Sequence, residues 1–558
     1  MRVLGVNALF HDPSAALVVD GRVVAAAEEE RFSRRKHGKR PLPFAAWELP
    51  EKAMAWCLEE GGLRPQDLDA VAYSFEPALA KPAEEMGLPD PWDWLRVQYA
   101  ERAPQFLATA LPGLSPSTVR FVPHEVAHAA SAALASPFPV ASVLSLDGRG
   151  ERSSHLAGRY DHGRLEVLAS QELPHSLGLV YESLTEHLGF LRSSDEYKVM
   201  ALASYGEPRF LDDLREVLHA TGDGGFVAEV PDWERWAPRR TDDGTWGTAH
   251  GGRAEHADLA ASVQARLEEV LVDLATWLHG QTGDRVLTMA GGTALNCVAN
   301  SRVWRESPFE EVWVQPAAGD SGTALGAALQ LAAEAGDTVE PMSSAALGRA
   351  WGDEALARWL RTAQVPFTTP DDLPAEVGRI LADDGVVAWF DGRAELGPRA
   401  LGHRSLLAHP GPVENLERLN DVKGREQFRP VAPMVLLEDA AEIFSGGPVP
   451  SPYMLFVHDV APAWRERIAA VVHVDGTARI QTVDGSTPRL QATIRAFKEL
   501  TGLPVVVNTS LNTAGRPMVD DPRDALELFG SAPVDALVLG PHLVRRPDVF
   551  AAPSGATA

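Results

Sequence analysis

The sequence reads as an α/β protein of two domains, and three observations carry that reading. A strand–turn–strand unit occurs twice in the first part of the chain, which suggests two related lobes around a cleft. Strands run through glycine turns into helices at 286–296 and 312–328, the alternation expected of α/β layers. Beyond the linker-like stretch 336–348, GDTVEPMSSAALG, a second α/β pattern begins, so the expected domains are 1–345 and 346–558.

In chain order, 3–7 and 22–27 are strands around HDPSAALVVDG, and 143–164 is a weaker copy with its own Asp-Gly and His-Gly turns. Between the copies, WELPEKAMAWCLEEGGL is an amphipathic helix closed by glycine, and 69–74 is a short strand. Pro123 opens an alanine-rich helix, HEVAHAASAAL. Residues 259–278 form a long helix, 286–289 a strand, and Gly291 and Gly292 a turn that lets backbone approach a nucleotide closely. Strand 312–314 leads to Asp320 at the start of an apolar helix, where capping is the commonest role for an aspartate. In the second domain, strand 386–390 enters the turn DGRAELGPRALGHRS, and strand 504–507 runs into NTSLN. The tail after Val549 is expected to be mobile.

A length of 558 residues exceeds one compact core, and 45% hydrophobic with 23% charged residues is ordinary for globular domains. The net charge of −26 argues against nucleic-acid or anionic-membrane partners. Two cysteines, Cys57 and Cys297, supply neither a disulfide framework nor a cysteine metal cluster. With no secretory signal and no apolar run of membrane-spanning length, a soluble cytoplasmic protein is expected. The basic run 31–40, RFSRRKHGKR, reads either as an anion or domain contact or as a solvated loop.

Four residues apart on a helix, His124 and His128 share a face and can ligate one metal ion; two unrelated histidines are the bland alternative. HEVAH also matches the zincin signature, with Glu125 as general base and Glu151 as a candidate third ligand. Against it, AASAALAS follows His128 where the extended pattern needs glycine and histidine, and Glu151 follows a strand and turn. The second domain gathers Arg399, Arg404, Lys423, Arg425, Arg429 and Arg479 beside glycine turns and Ser or Asn at a strand end, which suits a polyphosphate or other dianion; surface salt bridges are the alternative. Two phosphate-type pockets indicate a nucleotide-using transferase or ligase.

With FHDPSAALVVDG, AEEERFSRRKHG, HEVAHAASA, LDGRGE, EYKVMALASYG, GGTALN, GDSGTALGAA, GRAELGPRALGHRS, KGREQFRPVAP, RIQTVD and VVNTSLNTAGRP in order, the whole chain resembles the nodulation-protein-U and cephamycin O-carbamoyltransferase family. The resemblance implies a duplicated actin-like ATPase (ASKHA, TsaD-like) domain and a C-terminal YrdC-like α/β domain. It implies that the second domain makes carbamoyl adenylate from Mg-ATP and carbamoyl phosphate, and that the first passes the carbamoyl group to a hydroxyl of a small natural-product acceptor, with a sugar or aminocyclitol as the expectation. By matching motif, His124, His128 and Asp320, with Asp147 beside them, would hold an iron-type divalent metal. His11 would be the general base, and Lys36, Gly291, Gly292 and Asn296 would contact the nucleotide or adenylate. Arg399, Lys423, Arg429, Arg479, Ser510 and Asn512 would bind carbamoyl phosphate and ATP. The labile adenylate implies a closed passage between the sites. Two departures stand out: Pro123 replaces a histidine that some relatives carry before His124, and Leu9 stands where some have an acidic residue. A sugar kinase of the same superfamily is the alternative of another class, and a homodimer is compatible with the sequence.

Overall fold

The computed structural model describes residues 1–38, 48–88, 90, 92–240 and 254–550, so Lys39 and Arg40 of the basic run and the tail from 551 lie outside the described residues. The chain divides into two units, Met1–Leu347 with Leu396–Pro398, and Gly348–Glu395 with Arg399 onward.

In the first unit, β1 (Arg2–Asn7), β2 (Ser14–Val19) and β3 (Arg22–Glu28) run antiparallel in sequence, and β4 (Ala70–Tyr73) and β5 (Val119–Phe121) extend the sheet in parallel from β1. The order is β3-β2-β1-β4-β5. The same arrangement recurs with β6 (Val140–Leu146), β7 (Ser153–Asp161) and β8 (Arg164–Glu172). After a separate two-stranded ladder of β9 (Leu218–Ala220) and β10 (Phe226–Ala228), β11 (Val286–Ala290) and β12 (Glu311–Val314) complete the second sheet in parallel. Its order, β12-β11-β6-β7-β8, is the first sheet's order read from the other edge. The second sheet thus repeats the first, as the doubled strand–turn–strand pattern leads one to expect.

Two helices, His124–Ala133 and Thr323–Glu334, fill the space beside these sheets because their facing residues are small. Ala127, Ala130, Ala324, Ala327 and Ala328 are buried in one cluster. A Cβ on Gly326 would overlap the carbonyl oxygen of Ala127, and one on Gly5 that of Ala324. Backbone contact that close needs glycine, and it brings the histidine-bearing helix to the segment that carries Asp320.

The basic run is not a solvated loop at its start. Arg31 is buried, with Nη1 2.9 Å from Glu30 and Nη2 3.3 Å from Glu28, and it donates to the carbonyl of Gly397 at 2.8 Å. Arg35 pairs with Glu48 at 2.8 Å. Carboxylates thus absorb these two charges, because a buried guanidinium without partners would cost several kcal/mol.

The second unit is built on a mixed sheet with a dense apolar core around Trp389 and Phe497. Its strands are β13 (Val387–Phe390), β14 (Arg404–Ala408), β15 (Ala432–Leu436), β19 (Gln481–Val483), β20 (Val505–Ser510), β21 (Ala536–Leu539) and β22 (His542–Arg545), in the order β19-β15-β20-β14-β13-β21-β22. Short strands β16 (Phe444–Ser445), β17 (His458–Val460) and β18 (Thr477–Ala478) make a small sheet of their own. This is the second α/β domain that the sequence pattern leads one to expect. Among the described residues no helix is long and apolar enough to cross a membrane.

Candidate metal centre and anion site

The helix His124–Ala133 starts immediately after Pro123, and the carboxylate of Glu151 accepts its first N–H, from His124, at 2.9 Å. Glu151 also accepts the Glu76 N–H at 2.7 Å, so it braces the loop and is no third metal ligand. His124 Nδ1 donates to the carbonyl of Ser74 at 3.1 Å, which leaves its Nε2 lone pair facing inward, 3.2 Å from His128 Nε2. Asp147, from the turn after β6, and Asp320 complete the group: their oxygens lie 3.5–3.7 Å from the two Nε2 atoms. All four side chains are buried, with ligand atoms within 4.8 Å of one another.

Asp320 does not cap the helix it precedes. Neither of its carboxylate oxygens has a hydrogen-bond partner, although the residue is 1% exposed. Burial alone would push its proton affinity up, but His11, His124 and His128 outweigh it and hold the carboxyl far below the usual range. Burial likewise opposes charge on His124, yet Asp147 and Asp320 raise its pKa well above the ordinary value. Two unpaired oxygens facing two imidazole nitrogens in a buried pocket form a donor set that fits a divalent cation.

Asp147 is aimed by the glycine turn: Gly292 N–H donates to its Oδ1 at 2.8 Å, and Gly291 has φ of 89° and no room for a Cβ against Leu146. Asn296 is occupied locally, capping the helix Cys297–Glu306 through the Ala299 N–H and pairing with Gln264. Lys36 is exposed, on a short turn beside His37.

His11 sits next to the cluster, its Nε2 3.7 Å from Asp320 Oδ2. Its flanking residues Phe10 and Asp12 hold left-handed φ values of 55° and 49°, strained for non-glycine residues. Asn7 clamps the turn by donating to the carbonyls of His11 and Asp12. Burial opposes ionisation of Asp12, but His37 and His11 keep its carboxyl well below the usual range. As an acceptor it takes Nδ1–H from both imidazoles at 2.9 Å, and the Ser194 hydroxyl is 2.8 Å from His37 Nε2. Asn7, Asp12, His37 and Ser194 were not singled out from the sequence; the nearest signal was the adjacency of Asp12 to His11.

Glu125 is not among the four clustered side chains and is bonded to a neighbour instead. Its carboxyl accepts the Ser145 hydroxyl at 2.5 Å, and burial pushes its pKa up to about 7.

In the second unit, Lys423 ends the helix Glu414–Lys423 and is 4% exposed. It donates to Ser510 Oγ at 2.9 Å and Asn512 Oδ1 at 2.6 Å, so three expected residues meet at the end of β20. Arg429 lies 3.6 Å from Glu426, and Asn420 ties its carbonyl to the Lys423 helix. Arg479 precedes β19, and its Nε is buried with no partner. Ala400 and Leu401, just after Arg399, accept from Asn508 and Gln481. Arg404 and Arg425 make local bonds. Arg404 is fully buried and donates to the carbonyls of Asp391, Gly392, His403 and Arg349, while Arg425 Nε donates to Asn420.

Two family models cover this architecture. Carbamoyltransferase N-terminus matches residues 2–109 and 114–329, and Carbamoyltransferase C-terminus matches 378–546. The chain belongs to the carbamoyltransferase family. This carbamoyltransferase is 36% identical to nodulation protein NolNO of Sinorhizobium fredii over 97% of its own length and 80% of that protein's. It is 32% identical to nodulation protein U of Bradyrhizobium diazoefficiens, covering 94% and 95% of the two chains. Among solved structures, full-length HypF in the phosphate- and nucleotide-bound form aligns at 13% identity and a TM-score of 0.38, over 61% of this chain and 47% of that one, too remote to bear on chemistry. Membership in this family makes the enzyme a transferase and favours neither the sugar-kinase nor the zincin alternative.

Proposed function

We propose that the enzyme is an ATP-dependent O-carbamoyltransferase working in two steps. The observation that carries the reading is the buried group His124, His128, Asp147 and Asp320, with both Asp320 oxygens unpaired, in a family that transfers carbamoyl groups. In the second unit, water cleaves carbamoyl phosphate to carbamate and phosphate, and a carbamate oxygen then attacks the α-phosphorus of Mg-ATP, displacing pyrophosphate and forming carbamoyl adenylate. Lys423, Arg429, Arg479 and Arg399 supply positive charge there, with Ser510 and Asn512 orienting Lys423.

In the first unit an acceptor hydroxyl attacks the carbamoyl carbon, the bond to AMP breaks, and the hydroxyl proton leaves. His11 suits removal of that proton: with Nδ1–H held by Asp12, its Nε2 presents a lone pair at the edge of the cluster. A divalent cation of iron type, held by the four buried ligands, would supply Lewis acidity toward the carbamoyl and phosphate oxygens. The acceptor we propose is a sugar-like or aminocyclitol hydroxyl of a small natural product, with no nucleic-acid or membrane partner.

The test uses the full chain with ATP, magnesium and carbamoyl phosphate, following pyrophosphate, with carbamoyl phosphate omitted as control. Carbamoyl-phosphate-dependent pyrophosphate is expected, lost in Arg429→Ala and kept in His128→Ala. Absence of pyrophosphate from folded, metal-loaded enzyme overturns the two-step reading.

A further inference from the structure

Asn508 lies on β20, two residues before Ser510, so strand alternation puts both side chains on one face. It is 1% exposed. Its amide nitrogen spends both hydrogens, on the Ala400 carbonyl at 2.8 Å and on Gln481 Oε1 at 2.9 Å. Gln481 in turn donates to the Leu401 carbonyl at 2.9 Å. These bonds fix which way the amide faces, because a flipped Asn508 would set an oxygen against two acceptors. Its Oδ1 is left buried with no hydrogen-bond partner.

A buried amide oxygen without a donor is costly, and such atoms in native structures point to a missing group. Two residues before Gln481, Arg479 has the complementary defect, a buried Nε–H without an acceptor. One orphan therefore needs an anionic oxygen and the other needs an N–H. Asn512 Oδ1 does not compete for the N–H, since Lys423 and Ser510 Oγ already donate to it. Glu395 Oε2 is also buried and unpaired, but as a carboxylate oxygen it would repel a phosphate.

We infer that Asn508 is the residue that recognises the carbamoyl amino group, accepting its N–H through Oδ1 while Arg479 donates to a phosphate oxygen. The inference rests on the proposed use of carbamoyl phosphate and assigns its specificity to a residue outside the basic cluster. Acetyl phosphate has the same shape with a methyl group in place of the amino group, so it would bring its charge to the site and leave Oδ1 unpaired. A site built to pair with an N–H rejects an analogue that lacks it.

The experiment is calorimetric titration of the full chain with carbamoyl phosphate, acetyl phosphate and inorganic phosphate. Wild type should bind carbamoyl phosphate roughly tenfold or more tighter than acetyl phosphate. Asn508→Ala should lose that preference while keeping its affinity for inorganic phosphate, which also reports a folded site. Asn508→Ser, which can still donate to the Ala400 carbonyl, serves if the alanine variant is unstable. Equal binding of the two acyl phosphates by wild type, or an undiminished preference in a folded variant, overturns the role of Asn508. No binding of carbamoyl phosphate to wild type instead overturns the proposed substrate.

Discussion

Asp320 concentrates the chemistry of the first unit in one side chain. A buried carboxylate with neither oxygen hydrogen-bonded persists only where something offsets its desolvation, here the facing imidazoles and the cation they are suited to share. Asp320→Asn should therefore lower metal affinity by about 100-fold or more in chelator competition, whereas Glu125→Gln, whose carboxyl faces Ser145, should retain the metal. Equal metal content in both variants would contradict the assignment. A second buried carboxyl gives a pH signature away from the metal. Burial raises Glu29 from 4.5 to about 7, while it accepts the Ala53 N–H at 2.9 Å. Because its folded pKa lies above the unfolded one, its stability contribution is fully present below pH 4.5 and lost as pH rises through 7. Glu29→Gln should raise the Tm at pH 8 by a few degrees, corresponding to ~1–3 kcal/mol, and change it little at pH 4.5.

The two alanine-rich helices show how packing serves ligand placement. Gly326 is not one of the four clustered side chains, yet a side chain there must push the helix Thr323–Glu334 away from Ala127, between the two histidines. Gly326→Val should destabilise by ~1–3 kcal/mol and weaken metal binding, although all four ligands remain. Unchanged metal affinity at reduced stability would show that the helix crossing does not set the ligand distances. The helix, its register and the facing of His124 and His128 followed from spacing in the sequence. What spacing does not show is partnership across hundreds of residues: Asp320 could have been a cap, and only the fold shows that it caps nothing. Local engagement is hidden for the same reason, since residue type and neighbouring glycines do not reveal that backbone carbonyls take the Nη donors of Arg404 or that Asn420 takes Nε of Arg425.

Across the molecule, the doubled strand–turn–strand pattern announced the doubled sheet, because tight turns such as Asp20-Gly21 and His162-Gly163, all with positive φ, mark hairpins in local sequence. The parallel strands β4, β5, β11 and β12 join those hairpins through long crossovers, and their neighbours are set by tertiary packing. The Asn7–Asp12–His37–Ser194 set likewise draws on segments up to 187 residues apart, with no motif spacing to betray it. Leu396–Pro398 has its own consequence. These residues belong with the first unit while Glu395 and Arg399 on either side belong with the second, and Gly397 N–H donates to Glu28 at 2.7 Å while its carbonyl accepts from Arg31. The polypeptide thus passes from one unit to the other three times, so no single cut yields two complete halves. A gene fragment ending at 347 would lack three residues of its own unit and take from buried Arg31 one of its acceptors. Exchange of the two units between relatives would have to respect that stitch, which favours their inheritance as one indivisible chain.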